Sequence, residues 1–498
     1  MDNQMIGTQY VQKPETPETK RMKENFAFFG TGSFLYALFY TFCMFRNPSG
    51  ITFPFFIAAT LFFFCFSLRK LGLTLKRGSG FYMISIGLLA LSTMCTDDER
   101  IIFLNKLGIL LLLMSFLLKQ FYDVTDWKLG KYFEGMMCMI FGSLGELARP
   151  FQDGAAFVRK KECKHNATVL YGLLGLLIGL PVLLAVTALL SSADAVFRQV
   201  AQGVIQSLRL GNVFPICVRI AGMFLVVYLV IAFLCEKTLG GSVADLRKGE
   251  PVVAITITAL LSFVYVLFSG IQIVYLFLGR MQLPEGYSYA EYAREGFFQL
   301  LAVSILNFVI VVVCMSFFQE SRILQGILTV MSLCTFVMIA SSALRMIIYI
   351  RFYYLTFLRI LVLWTLAVLF LLFIGVIIGI YRERFPLFRY GVVVVTVLYL
   401  GLSFSHPDYF IAKVNLANTG EKAVESSFFL AEESYSDMGY LRSLSADAAP
   451  VVVPYLEQHG EGTEDRYVKR MEKRIGTLGI RTYNVSRHIA LKYLEELK

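Results

Sequence analysis

Charge is scarce in this chain: Asp, Glu, Lys and Arg make up 16% of its 498 residues, against about 25% in a soluble domain. That poverty excludes an ordinary water-soluble globular protein. Histidine is rarer still, at four residues (His165, His406, His459 and His488). None of them falls inside an apolar stretch. Nine cysteines are present, but no CxxC pair, so zinc-ribbon and dithiol redox chemistry are excluded. Most of the nine sit in or beside apolar stretches and read as small packing residues. No Walker A, HExxH, GxSxG or Cys/His cluster occurs, which removes the familiar phosphate-loop, metalloprotease and serine-hydrolase chemistries. No Asp or Glu lies well inside an apolar stretch. Ion-coupled carriers usually need an ionisable group or an unwound helix at mid-membrane, so a carboxylate-driven pump is disfavoured. No metal and no cofactor are expected.

What the chain has in abundance is apolar residue, 57% of the total. Eleven apolar stretches cover roughly 25–45, 51–68, 80–95, 101–121, 168–191, 213–235, 253–279, 296–318, 323–343, 357–381 and 387–404. The 323–343 stretch has room to run on toward Ile350. Crossing a hydrocarbon core of about 30 Å takes roughly 20 helical residues. In lipid every backbone N–H and C=O must be paired within its own segment, so these stretches must be helices. The expected fold is all-α: a polytopic transmembrane helix bundle of about 11 spans with a small C-terminal helical soluble domain. The expected division is a cytoplasmic segment 1–24, a transmembrane domain 25–404 and a soluble helical tail 405–498. The first stretch follows a polar segment and lacks a small-residue cleavage site, so it reads as an uncleaved anchor.

Orientation follows from the basic residues, because cytoplasmic loops carry them in excess. The N-terminus and the loops after the second, fourth, sixth, eighth and tenth stretches hold 23 Lys and Arg; the alternate loops hold about nine. The N-terminus is therefore expected inside and the tail outside. The formal charge of +10 belongs to this asymmetry, and nucleic acid is not an expected partner. Residues near 128–160 and 194–209 look amphipathic and are expected to lie on the membrane surface. The tail reads as short helices over EKAVESSFFLAEESY, ADAAPVVVPYLEQ, EDRYVKRMEKRI and NVSRHIALKYLEEL, separated by Gly420, Gly460, Gly476 and Gly479.

Only Gln272 and Asn307 are polar and deep. Each reads first as a hydrogen-bonding partner for a neighbouring helix. Asp97-Asp98-Glu99 reads as a solvated turn. A set of polar motifs gathers at the predicted outer boundary. It comprises Asp194 after the fifth stretch, Arg294, Glu295 and Gln299 at the opening of the eighth, Arg345, Tyr349 and Arg359 between the ninth and tenth, and His406 and Asp408 after the last. Arg345 and Arg359 offer paired donors suited to a phosphate or carboxylate, with Asp194, Glu295 and Asp408 placed to orient them. The alternative is ordinary anchoring, since charged and aromatic residues belong at helix ends.

The same motifs carry a family resemblance. SADAVF, YAREGFFQLLAVSILN, the R-x-x-x-Y-x-x-x-Y-x-L-T-x-x-R spacing from Arg345 to Arg359, and HPDYFIAKVN followed by SLSADAAP resemble domain of unknown function 4173, a bacterial membrane-protein family close to family 4153. The resemblance covers roughly Asn166 to Leu497. Members of that family often have an acidic residue where Arg351 stands and a glycine where Tyr354 stands. It implies a multi-pass protein of the bacterial cytoplasmic membrane and supplies no activity. The favoured expectation is a non-enzymatic sensing, scaffolding or regulatory role through the outer face and tail. Membrane lipids are the expected partners, with a second membrane or envelope protein on the tail. The alternatives are a transporter or flippase of an amphipathic anion, and a transferase acting on a lipid-linked substrate.

Overall fold

The computed structural model describes residues 15–125, 127, 129–160, 175, 179, 183, 186–187, 189–199, 213–239, 249–274, 296–382, 384–425, 438–460, 464–476 and 479–497. Among them the protein is helical, with one isolated parallel bridge between Gly249 and Phe318. The short helix α1 (Pro17–Glu24) precedes α2 (Phe26–Met44), α3 (Thr52–Lys70), α4 (Ser79–Cys95) and α5 (Glu99–Phe121). Two helices, α6 (Leu129–Gly142) and α7 (Arg149–Lys160), fill the first amphipathic region. Then come α8 (Val213–Glu236), α9 (Pro251–Gln272), α10 (Phe297–Phe317), α11 (Arg322–Tyr353), α12 (Phe357–Tyr381) and α13 (Leu387–Phe404). The tail contributes α14 (Pro407–Glu425), α15 (Ala449–Gln458), α16 (Arg466–Ile475) and α17 (Val485–Glu496).

Among the described residues nine helices are long and apolar enough to cross a membrane, and α4 is a shorter apolar tenth. This is an all-α, membrane-spanning helix bundle. The expected ends at 357–381 and 387–404 agree with α12 and α13. Most of the expected span 168–191, and residues 200–209 of the second amphipathic region, lie outside the described residues. In the tail, α15, α16 and α17 fall on the expected segments. Gly420 does not divide two helices as expected; it lies within α14, which starts directly after the last span.

Helix α11 runs on past 343, as the sequence leaves room for, and ends at Tyr353. Its 32 residues make it roughly 48 Å long at 1.5 Å per residue, well beyond a bilayer core. Arg345, Tyr349 and Arg351 therefore stand on the last turns of a helix rather than in a loop. Only Tyr354–Thr356 separates α11 from α12. Tyr354 ends α11 with φ 65° and ψ 173°, a backbone region that is nearly glycine-only.

The helices pack in two groups. One joins α2 with α3 and α8, and α4 with α3 and α5; the other centres on α11, which packs against α9, α10 and α12. Helix α13 links them through α12, α4 and α5. Buried polar pairs stitch helices within the apolar interior. Ser341 donates to Gln272 Oε1 at 2.7 Å, and Asn307 Nδ2 donates to Thr335 Oγ1 at 3.0 Å. Both deep polar residues thus have the neighbouring-helix partners expected of them.

The bundle has two polar faces. On the N-terminal face, Lys237 pairs with Glu18 at 2.7 Å, Arg149 with Glu236 at 3.1 Å, and Arg21 donates to the Leu71 carbonyl at 2.7 Å. The opposite face carries the ends of α2, α4 and α13, the starts of α5 and α12, and the docked tail. The tail's Ile411, Leu441, Leu456, Tyr467, Met471 and Leu494 belong to the same buried apolar cluster as Phe53, Leu89 and Leu402 of the bundle.

Candidate functional site at the tail face

The turn between α4 and α5 is the centre of the tail face. Helix α4 ends at Cys95, and Asp98 caps α5 by accepting from the Arg100 backbone N–H at 2.9 Å. A helix start has unpaired N–H groups, and an aspartate at the cap satisfies one of them. The same carboxylate takes the Arg100 guanidinium in a fork, at 2.8 Å from Nε and 2.9 Å from Nη2. Arg100 Nη2 also pairs with Asp408 Oδ1 at 2.5 Å, and its guanidinium lies 4.1 Å from the centre of the Phe357 ring. One arginine thereby ties the starts of α5, α14 and α12 together.

Asp97 faces the tail. Its carboxylate pairs with Arg487 Nε at 2.6 Å and Arg474 Nε at 3.1 Å. Asp447, in the turn before α15, reaches back toward the bundle. It accepts from Thr96 Oγ1 at 2.5 Å, from the Asp97 backbone N–H at 2.8 Å and from Ser486 Oγ, and it lies 3.2 Å from His406 Nδ1. The second oxygen of Asp408 accepts from the Ser445 backbone N–H at 2.8 Å. Asp97, Asp98 and Asp408 are 0%, 2% and 1% exposed. The solvated turn expected for Asp97-Asp98-Glu99 is thus corrected: only Glu99 remains exposed, because the tail covers the other two.

Burial is costly for a carboxylate unless donors compensate. At Asp97 burial dominates and raises the proton affinity, despite Arg487 and Arg474. At Asp408 burial, helped by the Asp98 charge, raises it against Arg100. At Asp447 burial is outweighed by His406, Ser486, Thr96 and the Asp97 N–H, so its carboxyl is held below the usual range. The bond to Asp447 raises the proton affinity of His406, with burial opposing it.

Two further clamps fix the tail. Arg481 donates to the Phe42 and Phe45 carbonyls at 2.6 and 2.8 Å, capping the end of α2. Asn484 Nδ2 donates to the Ser49 and Thr96 carbonyls at 3.2 and 2.9 Å. The chain approaches so closely here that a side chain at Gly50 would collide with the Arg481 carbonyl. On the far side, Asn415 of α14 holds Leu355 from both ends. It accepts from the Leu355 N–H at 2.8 Å and donates to its carbonyl at 3.0 Å.

The residues singled out from sequence divide three ways. His406 and Asp408 belong to the network just described. Arg345, Tyr349 and Arg359 surround the α11–α12 connection. The Arg359 guanidinium lies 4.2 Å from the centre of the Tyr349 ring and donates to the Tyr353 and Tyr354 carbonyls. Arg345 is buried and approaches Gly296 at the start of α10. Asp194 is exposed and accepts from the Phe197 N–H at 2.7 Å; Gln299 is exposed on the first turn of α10. Arg294 and Glu295 lie outside the described residues. Asp408 does not orient Arg345 or Arg359 as expected, because its ion-pair partner is Arg100. Sequence reading missed Asp97, Asp98, Arg100, Asp447, Arg474 and Arg487. The one available signal was a pair of adjacent aspartates at an apolar helix end, a position that ordinarily faces water.

A family model, Domain of unknown function (DUF4153), matches residues 83–455. The chain belongs to that family. The match falls on the family expected as a neighbour of 4173, and it begins earlier in the chain than the motifs alone indicated. It contains Asp97, Asp98, Arg100, His406, Asp408 and Asp447, whereas Arg474, Asn484 and Arg487 lie beyond it. No curated protein and no solved structure matches the chain. Among the described residues no group of three His, Cys, Asp or Glu is placed to hold a metal ion.

Proposed function

We propose that this family member is a non-enzymatic scaffold or sensor of the bacterial cytoplasmic membrane, presenting a firmly seated helical cap on the extracytoplasmic side. The observation that carries this reading is the network between cap and bundle, in which Asp97, Asp408 and Asp447 are saturated by protein donors from both sides. A catalytic carboxylate or an anion-binding arginine needs an open coordination position. Here the carboxylates and guanidiniums are spent on one another. Arg359 is likewise engaged with the backbone of the α11–α12 connection. The excess of basic residues on the N-terminal face supports a cytoplasmic N-terminus, and the tail face is then outside. The pairing of Gln272 and Asn307 with neighbouring helices gives no support to a transport route at mid-membrane.

The test is rescue of a deletion strain followed by lipid and metabolite profiling. A chain ending after Glu425 should insert and fail to rescue, as should Asp447→Ala, whose cap is unlatched. Full rescue by the truncated chain would overturn the reading, because the cap would then be dispensable.

A further inference from the structure

An apolar groove of about 430 Å³ lies on the bundle, away from the tail network. Its walls include Leu107 and Ser115 of α5, Met136 of α6, Trp364 of α12 and Val392 of α13. Along α13 the lining runs from Leu387 to Tyr399, roughly 18 Å at 1.5 Å per residue. That is close to the depth of one leaflet, half of a hydrocarbon core of about 30 Å. All of these helices except α6 cross the membrane, so hydrocarbon is the medium at the groove's mouth.

The end of the groove toward the N-terminal face is chemically different. Tyr132 and Phe388 stack there with ring centres 3.6 Å apart. On α5, Lys119 stands one turn beyond Ser115, on the same stripe of the helix. Lys119 is only 7% exposed. Among the described residues the partner of its ammonium is the Tyr82 ring, 5.5 Å from Nζ. Lys76 and Arg389 are both within electrostatic reach of it and repel it. Lys76 donates to the Tyr122 carbonyl at 2.6 Å, and exposed Arg389 pairs with no carboxylate among the described residues. Asp123 acts on Lys76 from a distance, and among the described residues no carboxylate is paired with Lys119, so burying its ammonium beside two more cations is costly. Basic pockets between membrane helices are suited to anionic headgroups.

We propose that groove and cations form one site for an anionic glycerophospholipid of the leaflet at the N-terminal face. Its phosphate sits among Lys119, Lys76 and Arg389, and one acyl chain lies along α13 toward Trp364. The site is independent of the cap and of the scaffold reading.

The chain has two tryptophans, Trp127 and Trp364, so Trp127→Phe leaves Trp364 as the sole reporter at the far end of the groove. The full chain carrying that change is placed in nanodiscs of phosphatidylcholine. A minor fraction of phosphatidylglycerol or of phosphatidylcholine with brominated acyl chains is then added. Brominated phosphatidylglycerol should quench Trp364 at a several-fold lower mole fraction, on the order of fivefold for each cation engaged. Lys119→Gln and Arg389→Gln should each remove part of that preference, and Lys119→Arg should keep it. Arg389 is exposed, so its variant tests the site even if Lys119→Gln fails to fold. Equal quenching by the two lipids would overturn the proposal, leaving ordinary bulk lipid in the groove. Loss of the preference on adding inorganic phosphate would also overturn it, since the site would then be one for a free anion.

Discussion

Tyr354 carries the clearest local strain. A non-glycine residue at φ 65°, ψ 173° costs on the order of 1–3 kcal/mol, and the resemblance drawn from sequence has glycine at this position. Tyr354→Gly should therefore raise the melting temperature in detergent, while Tyr354→Ala, which keeps the strain, should not. Asp447 is the opposite case, a residue whose removal strands its neighbours. Without it Thr96 Oγ1, Ser486 Oγ and the Asp97 N–H lose a buried acceptor. Asp447→Ala should cost about 3–5 kcal/mol and expose the tail to trypsin in proteoliposomes. Titration of the same group of residues gives a pH optimum. The proton affinity of His406 is raised in the folded state, so its contribution is complete below its ordinary value of 6.5 and fades as pH rises through the folded value. Asp447 is shifted down, so its contribution is present above 3.8 and lost as pH falls through the folded value. Asp97 and Asp408 are shifted up, and the penalty they carry when ionised is relieved on acidification. The cap should be held most tightly in weakly acid solution. Hydrogen exchange across residues 441–456 should be slower near about pH 5.5 than near about pH 8, and His406→Gln should flatten much of that difference.

Among the elements, α12 shows how small residues set helix spacing. Tyr390 of α13 lies flat over Gly375, held by a 2.7 Å bond from its hydroxyl to the Leu371 carbonyl, and a methyl group at Gly375 would collide with its ring. Gly375→Ala should cost about 1–3 kcal/mol through overpacking, read as a lower unfolding temperature. The length of α11 explains why the polar residues at 345–353 are helical rather than part of a loop. It is the reach of one long helix, stopped where Tyr354 turns the chain and Asn415 of α14 grips Leu355.

For the whole molecule, the decisive feature is that the tail shares its core with the bundle. Ile411, Leu456 and Leu494 bury against the same cluster as Leu89 and Leu402. Topology gives the prediction proper to this scale. Gly460 is exposed where α15 gives way to the following turn, and a cysteine introduced there should be labelled by an impermeant reagent in intact cells. Protection would place the cap inside. The bundle itself was legible in advance, because a run of some 20 apolar residues has only one way to satisfy its backbone in lipid. The candidate site was legible in two of its eight charged groups, His406 and Asp408. The others escaped because the partners that take up Asp97, Arg474 and Arg487, lie nearly 400 positions later in the chain.

Hydropathy determined by itself that this is a helical membrane protein and where most of its helices begin and end. These are local matters, decided by the cost of leaving a peptide group or a charge in hydrocarbon. Only the tertiary structure decided that the acidic turn is an anchor rather than a wet loop, that α11 runs unbroken to Tyr353, and that Lys119 is buried against the Tyr82 ring. Those depend on which distant segments come to rest against one another, and a charge's environment is a property of its neighbours in space.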